Sequence, residues 1–140
     1  MKILVAADGS SYTKRMLAYL AAHDEWLGPS HQYTVVYSTP DVPSRAKAYF
    51  DRDTLKSYSE GEFEKVFKPI RTFFKRHGID ATFTGKTGPA ADVIATLAQQ
   101  GNFDLLVMGS HGQGALTSLV TGSVVTKVIA TCTTPILIVR

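Results

Sequence analysis

A glycine-rich segment in the last third of the chain has the residue types that bind phosphate groups. Residues 109–114 read Gly-Ser-His-Gly-Gln-Gly, and Gly122 and Ser123 follow at the start of a helical pattern. Because glycine has no Cβ, backbone N–H groups at these positions can approach a phosphate closely. A helix N-terminus adds unpaired N–H groups and the positive end of the helix dipole. No Asp or Glu follows Asp104, so we predict that this segment cradles a polyphosphate.

Asp8 is the second candidate for a functional residue. It follows the first apolar run and begins the sequence Asp-Gly-Ser-Ser. Its carboxylate suits either a nucleotide contact or the capping of the first helix, and the sequence leaves both roles open. His111 has no His, Cys or acidic residue at metal-ligand spacing. The single cysteine, Cys132, excludes an internal disulfide and a cysteine-based metal cluster.

The glycines do not match the better-known phosphate-binding and catalytic motifs. A dinucleotide fingerprint needs Gly-x-Gly-x-x-Gly after the first strand, whereas Gly112-x-Gly114 follows the fourth predicted strand and lacks the last glycine. The P-loop and the Gly-x-Ser-x-Gly nucleophile elbow are absent. A response-regulator receiver would need an Asp at the end of the third strand, where the chain has Gly85 followed by Lys and Thr.

Apolar runs of strand length alternate with segments of helical periodicity along the whole chain. Strands are predicted at residues 2–7, 32–38, 80–85, 104–108 and 135–139, and helices at 14–27, 58–77, 88–101 and 123–131. The polar, proline-containing stretch 39–54 is predicted to be a loop. This alternation predicts right-handed βαβ crossovers, and therefore a parallel sheet with helices on both faces. We expect residues 1–140 to form one α/β domain.

The character of the strands also predicts their order. The first and fourth are the most continuously apolar and belong in the centre, while the third alternates apolar residues with threonine and suits an edge. This favours an open five-stranded sheet of order 3-2-1-4-5. Ligands of such sheets bind beyond the C-terminal strand ends where the winding reverses. The loops that begin at Asp8 and Gly109 meet there, so the topology indicates the same two segments.

Composition indicates a soluble globular protein. Of the 140 residues, 44% are hydrophobic, which is too apolar for a disordered chain. The apolar runs are far shorter than the ~20 residues of a membrane helix. The chain starts without a signal-peptide pattern, so we expect a cytoplasmic protein with no membrane partner. Nine of the fifteen basic residues lie between Arg45 and Arg76 among five acids, which is typical of a solvated helix face rather than of nucleic-acid binding.

The spacing of three glycines resembles that of a known family. Gly109-x2-Gly112-x9-Gly122-Ser123 matches, without a gap, the Gly-x2-Gly-x9-Gly-(Ser/Thr) nucleotide motif of the universal stress proteins. The sequences Asp-Leu-Leu-Val-Met-Gly-Ser-His-Gly from residue 104 and Thr-Pro-Ile-Leu-Ile-Val-Arg from residue 134 are similar to the most characteristic parts of that family. Residues 3–10 resemble its first strand and acidic loop. The resemblance covers the whole chain and is weakest between residues 40 and 56.

This resemblance implies the adenine nucleotide alpha hydrolase-like fold. It also implies a cytoplasmic, usually dimeric protein of stress tolerance that binds ATP, with or without Mg²⁺ or Mn²⁺. By position in the family motif, the phosphates would be surrounded by Gly112, Gln113, Gly122, Ser123 and Val124. The ribose and adenine would lie near Ala7, Asp8, Met108 and Gly109. Ser38 stands where the family usually places an apolar residue against adenine, so the chain departs from the pattern there.

The residues favour a regulator whose bound nucleotide sets its conformation or its choice of partner. ATP hydrolysis requires a held metal, a positioned water and positive charge at the leaving group, yet Asp8 is the only nearby carboxylate and neither loop carries an arginine. Two alternatives stay open. One is an ATP-dependent enzyme, either a slow ATPase or an adenylyl- or phosphoryl-transfer enzyme on the same sheet, but its His-x-Gly-His or Ser-Gly-Gly-x-Asp-Ser loops are missing. The other is a flavodoxin-like electron carrier, for which residues 10–13 are a poor flavin-phosphate loop.

The fifth strand predicts how the chain associates. In the order 3-2-1-4-5 it is an edge, and its middle lacks the charge or proline that normally protects an edge, since it reads Ile136, Leu137, Ile138 and Val139. We expect a two-fold homodimer in which this strand pairs antiparallel with its own copy. The alternative is a monomer whose edge is covered by residues 39–54.

Overall fold

The computed structural model describes residues 1–114 and 120–140. Residues 115–119 of the predicted glycine loop lie outside the described residues. Strands and helices alternate along the described part as the sequence predicts. The elements are β1 (Lys2–Ala6), α1 (Ser11–Ala21), β2 (Gln32–Thr39), α2 (Ser44–Lys47), α3 (Arg52–Arg76), β3 (Ala81–Thr87), α4 (Ala90–Gln100), β4 (Leu105–Gly109), α5 (Ser123–Thr131) and β5 (Ile136–Val139).

The strands form one parallel sheet of order β3-β2-β1-β4-β5 in the described residues, which confirms the predicted topology. β1 lies in the centre, where Ile3 is paired with Tyr33 of β2 on one side and with Leu105 of β4 on the other. The winding of the sheet reverses between β1 and β4. The C-terminal ends of these two strands therefore leave a crevice in which the loops after β1 and β4 meet.

Alternate residues of β1 pack against helices on opposite faces of the sheet. Ile3 and Val5 lie in a core with residues of α1 and α3, whereas Leu4 and Ala6 lie in a core with residues of α4 and α5. Both faces of the central strand are covered, as a parallel sheet requires. The packed centre thus fixes the positions from which the two site loops start.

The first helix is shorter than predicted. The sequence indicated a helix over residues 14–27, whereas α1 ends at Ala21. It begins at residue 11 because Ser10 caps it, with its Oγ accepting a hydrogen bond from the N–H of Thr13 at 3.4 Å. After the helix, the hydroxyl of Tyr33 accepts from the N–H of Gly28 at 2.8 Å and holds this segment in turns. Leu27 is buried there, outside the helix.

The predicted loop over residues 39–54 is also partly wrong. It contains the short helix α2 and the first residues of α3, which begins at Arg52. Asp51 caps α3, because its Oδ1 accepts from the N–H of Thr54 at 2.7 Å, and the hydrogen bonds with Thr54 lower the pKa of Asp51. The Asp-x-x-Thr spacing indicates a capped helix start at Asp51, and the predicted loop did not take it into account. The remaining strands and helices begin and end within two residues of their predicted limits.

None of the described helices has the length and apolarity to cross a membrane.

Candidate functional site

A cleft of about 480 Å³ opens at the C-terminal ends of β1, β2 and β4. It lies where the winding of the sheet reverses, the usual place for ligands of open α/β sheets. All ten residues that the sequence analysis assigned to a nucleotide line this cleft: Ala7, Asp8, Ser38, Met108, Gly109, Gly112, Gln113, Gly122, Ser123 and Val124. The structure therefore brings the ten together, while their contacts with a nucleotide stay predictions.

Asp8 fastens the glycine loop to the loop after β1. Its Oδ2 accepts a hydrogen bond from the backbone N–H of Gln113 at 3.0 Å, and the side-chain Nε2 of Gln113 donates to the carbonyl of Asp8 at 2.7 Å. A Cβ on Gly112 would lie 2.7 Å from the same Oδ2. Since real Cβ atoms essentially never come so close, glycine at position 112 lets the carboxylate and the loop meet.

Asp8 does not cap α1, so one of the two roles that the sequence left open is wrong. The capping position belongs to Ser10. The Oδ1 of Asp8 instead accepts from the N–H of Ser10 at 2.9 Å and from the hydroxyl of Thr13 at 3.0 Å. Both carboxylate oxygens are therefore engaged, and the half-buried Asp8 orders the two loops on either side of the crevice.

The N-terminus of α5 forms the opposite wall of the cleft. Its cap residue is Gly122, which offers no side chain to the helix and whose N–H donates to the carbonyl of Ser110 at 2.8 Å. The next three residues line the cleft and carry N–H groups that have no acceptor within the helix: Ser123, Val124 and Val125. A Cβ on Gly122 would lie 3.2 Å from the Cα of His111, so glycine allows helix and loop to approach each other.

The wall formed by β2, α4 and β4 is apolar. Val36, Ile94 and Met108 line it and are buried. The hydroxyl of Ser38 donates to the carbonyl of Gly88 at 2.8 Å, so its polar group is satisfied within the protein. Val36 and Ile94 were not among the predicted site residues. Their signals were available, because Val36 precedes Ser38 by two residues on the same strand face and Ile94 lies on the helix that follows the third strand.

Two cations lie near the cleft but are engaged elsewhere. Lys127, one turn after Ser123 on α5, forms an ion pair with Asp92 of α4 at 2.9 Å. The Arg15 guanidinium lies 5.1 Å from the ring centroid of Tyr12, which in turn lies 4.9 Å from that of His111. Neither the loop after β1 nor the loop after β4 contains an arginine, but Arg15 of helix α1 lies close to these loops through Tyr12. In the described part of the chain, no lysine or arginine lines the cleft.

Negative charge at the cleft comes from few groups. Asp8 is the only carboxylate among the described lining residues. Burial raises the pKa of Tyr37 on β2, and the carboxylates of Glu62 and Asp8 raise it further. Within residues 1–114 and 120–140, no cluster of three His, Cys, Asp or Glu side chains is placed to hold a metal ion.

The family model for universal stress proteins matches residues 1–140 of this chain. A relative from Thermus aquaticus, a universal stress protein in the QAH/OAS sulfhydrylase 3' region, is 34% identical over 138 residues. The alignment covers 99% of this chain and 97% of the relative. The chain belongs to the universal stress protein family. The resemblance drawn from the glycine spacing is thereby confirmed, and the sheet order is that of the family's adenine nucleotide alpha hydrolase-like fold.

Solved structures of other universal stress proteins share this fold. UspA from Lactobacillus plantarum has a TM-score of 0.78 at 17% identity and covers 100% of this chain and 97% of its own. A universal stress protein in complex with cAMP has a TM-score of 0.71 at 19% identity, covering 100% and 97%. A family member from Arabidopsis thaliana with AMP bound has a TM-score of 0.71 at 16% identity, covering 99% and 90%. At these identities the likeness establishes the architecture of this universal stress protein.

Proposed function

We propose that this universal stress protein binds ATP in the cleft at the ends of β1, β2 and β4, with residues 1–140 acting as one nucleotide-binding domain. The observation that carries the proposal is the meeting of two anion-binding features in one cleft, the glycine loop and the uncapped N-terminus of α5. The AMP and cAMP held by two structural relatives support an adenine nucleotide. The two features together offer room for more than one phosphate group, which favours the triphosphate.

In the proposed complex, adenine packs against the apolar wall of Val36 and Met108, and this wall supplies the apolar contact that Ser38 does not. The N–H groups of Ser123 and Val124 bind phosphate oxygens. The N–H of Gln113 is held by Asp8 in this structure, so it reaches a phosphate only after the Asp8 carboxylate turns away. The same movement frees that carboxylate to accept hydrogen bonds from the ribose hydroxyls.

A metal ion fits this site only together with the nucleotide. Mg²⁺ is commonly held by one or two carboxylates plus substrate phosphates rather than by an all-protein cage. The lining offers the hydroxyl of Ser123 beside the N–H groups assigned to phosphate. The Asp8 carboxylate would bind the metal only in place of its contact with the ribose. Mg²⁺ or Mn²⁺ would therefore enter with ATP and neutralise part of its phosphate charge.

Turnover of ATP is expected to be slow, because no arginine or lysine is among the described residues that line the cleft. Loss of an arginine finger alone lowers phosphoryl-transfer rates by roughly 10³–10⁵-fold. We expect hydrolysis far below the roughly 1 s⁻¹ at the slow end of ordinary enzymes. Phosphate release by purified protein with Mg²⁺ or Mn²⁺ measures this rate. Several turnovers per second would favour the ATP-dependent enzyme over the regulator.

We further propose that two copies associate through β5. This strand is an edge of the sheet, and Ile136, Leu137 and Ile138 are only partly buried in the single chain. The carbonyls of Pro135 and Val139 accept hydrogen bonds from the N–H of Leu106 in β4 and from that of Ser110, which directly follows β4. In a parallel ladder the bonding alternates along the strand, so the N–H and C=O groups of Ile136 and Ile138 point away from the sheet. An antiparallel copy of β5 would satisfy them.

The proposed biological role is that of a cytoplasmic stress regulator whose bound ATP sets its conformation or its partner. The test of the molecular part is a calorimetric titration of nucleotide-free protein with ATP, ADP, AMP and cAMP. The proposal expects ATP to bind with the highest affinity of the four. Equal affinity for AMP and ATP would show that the glycine loop does not bind the second and third phosphates.

A further inference from the structure

A second cleft, of about 450 Å³, lies between the segment that follows β2 and the N-terminal half of α3. We call it the α3 groove and define it by Tyr37, Val42, Phe50, Leu55, Tyr58 and Glu62. Its volume falls in the range of small-molecule sites, about 300–1,000 Å³, and its lining of apolar and aromatic side chains with a few polar groups is typical of them. The groove shares Tyr37 with the nucleotide cleft, but none of the contacts proposed for the nucleotide lies in the groove.

Aromatic rings form much of the groove and remain open to solvent. Phe50 and Tyr58 are 53% and 63% exposed. Leu55, Tyr58 and Glu62 recur at a spacing that places them on one face of α3. The inner end is formed by Tyr37, whose ring meets Phe63 edge to face at 6.2 Å between centroids. The groove thus presents ring surfaces at its outer side and a positioned ring at its inner end.

The charged groups that line the groove are both acidic among the described residues, Asp41 and Glu62. Each carboxylate contacts an exposed lysine, Lys47 at 2.9 Å and Lys65 at 2.7 Å. Exposed pairs of this kind contribute little to stability, so the ammonium group of a ligand can replace a lysine at either carboxylate. Burial raises the pKa of Tyr37 and the carboxylate of Glu62 raises it further, so Glu62 acts on the ring at the inner end of the groove.

We propose that the α3 groove binds a small organic cation, a protonated arylalkylamine, with its ring between the aromatic side chains and its ammonium group at Glu62. Aromatic faces attract cations because their quadrupole is negative, and the carboxylate adds a charge-assisted hydrogen bond. An organic acid of the same shape would find no cation among the described lining residues, and the two nearby lysines, Lys47 and Lys65, are already paired with the carboxylates. The side of the groove is shaped by Pro40 and Pro43, whose fixed φ limits its collapse when empty.

The test is a calorimetric titration of the full chain with tryptamine and with indole-3-propionic acid. We expect tryptamine to bind at least tenfold more tightly than the acid. Tyr58→Ala should weaken tryptamine binding by roughly tenfold, and Glu62→Gln by roughly fivefold. Matched controls are Tyr49→Ala, an exposed ring that does not line the groove, and Glu60→Gln on the same helix. Both controls should bind tryptamine as the native chain does.

Several results would overturn the proposal. They are the absence of tryptamine binding at about 1 mM, the weak limit of specific recognition, equal affinity for amine and acid, and equal losses in the control variants. A change of oligomeric state in Tyr58→Ala without amine binding would instead assign the groove to a contact between copies. Circular dichroism establishes that each variant is folded. ATP titration of Tyr58→Ala should give native affinity, so failure here is distinguishable from failure of the nucleotide proposal.

Discussion

Replacement of both Gly112 and Gly122 by valine is expected to abolish ATP binding while the protein stays folded. A Cβ at position 112 meets the Asp8 carboxylate, and one at position 122 meets the backbone of His111 and Ser110. The loop must then move away from the start of α5, and phosphates lose N–H donors from both. Hydrogen bonds to charged groups contribute about 1.5–3 kcal/mol each, so losing two lowers the affinity by at least roughly a hundredfold. Calorimetry with ATP measures the loss.

The matched control for this double variant is Gly61→Val in α3. Among the described residues, a Cβ at that position would meet no neighbour within 4 Å, and Gly61 does not line the cleft. The control is expected to bind ATP with native affinity. A folded Gly112→Val, Gly122→Val variant with unchanged ATP affinity would show that the phosphates bind elsewhere.

The native protein is expected to be a dimer at micromolar concentration, and Ile138→Pro is expected to convert it to monomers. Proline removes the N–H of residue 138, which points outward, and leaves the bonds from β5 to β4 in place. Prolines are tolerated on edge strands for this reason. After the Ile138→Pro substitution, β5 can no longer form a complete ladder of hydrogen bonds with its own copy. Light scattering of the two proteins at equal concentration measures the change.

A second variant tests the same interface through its side chains. Leu137→Lys with Ile138→Lys places charge on both faces of β5, and like charges would face each other across a two-fold axis. It should be monomeric as well. Thermal unfolding of each variant checks that the monomers are folded. A native protein that is monomeric at micromolar concentration, or variants that remain dimeric, would refute the β5 interface.

The topology was predictable because each central strand is apolar throughout. Residues 3–5 are buried on both faces, and a run of that kind fits only the middle of a parallel sheet covered by helices. Local boundaries were less predictable, since they depend on contacts between distant residues. The end of α1 is one example, because Tyr33 of β2 holds the segment after it in turns. Periodicity over residues 14–27 contains no trace of that contact.

The position of the candidate site was predictable, because the motif glycines follow the ends of the central strands. The hydrogen bonds and ion pairs of its side chains were less predictable. The three motif glycines and Asp8 meet around one cleft as expected. The bond from Gln113 to Asp8 was not foreseen, since it joins residues 105 positions apart. The pairing of Lys127 with Asp92 likewise depends on how α4 and α5 pack. The spacing of residues on α5 alone does not show in which direction the Lys127 side chain points.

The most direct measurement of the central claim is a titration of nucleotide-free protein with ATP, followed through the backbone amide resonances of labelled protein. Binding in the cleft predicts the largest shifts at Gly112, Gln113, Ser123 and Val124, because their N–H groups lie at the two anion-binding features. Amides of α3 should change little. An absence of shifts at millimolar ATP, or shifts concentrated outside the cleft, would contradict the assignment of this universal stress protein as an ATP-binding protein.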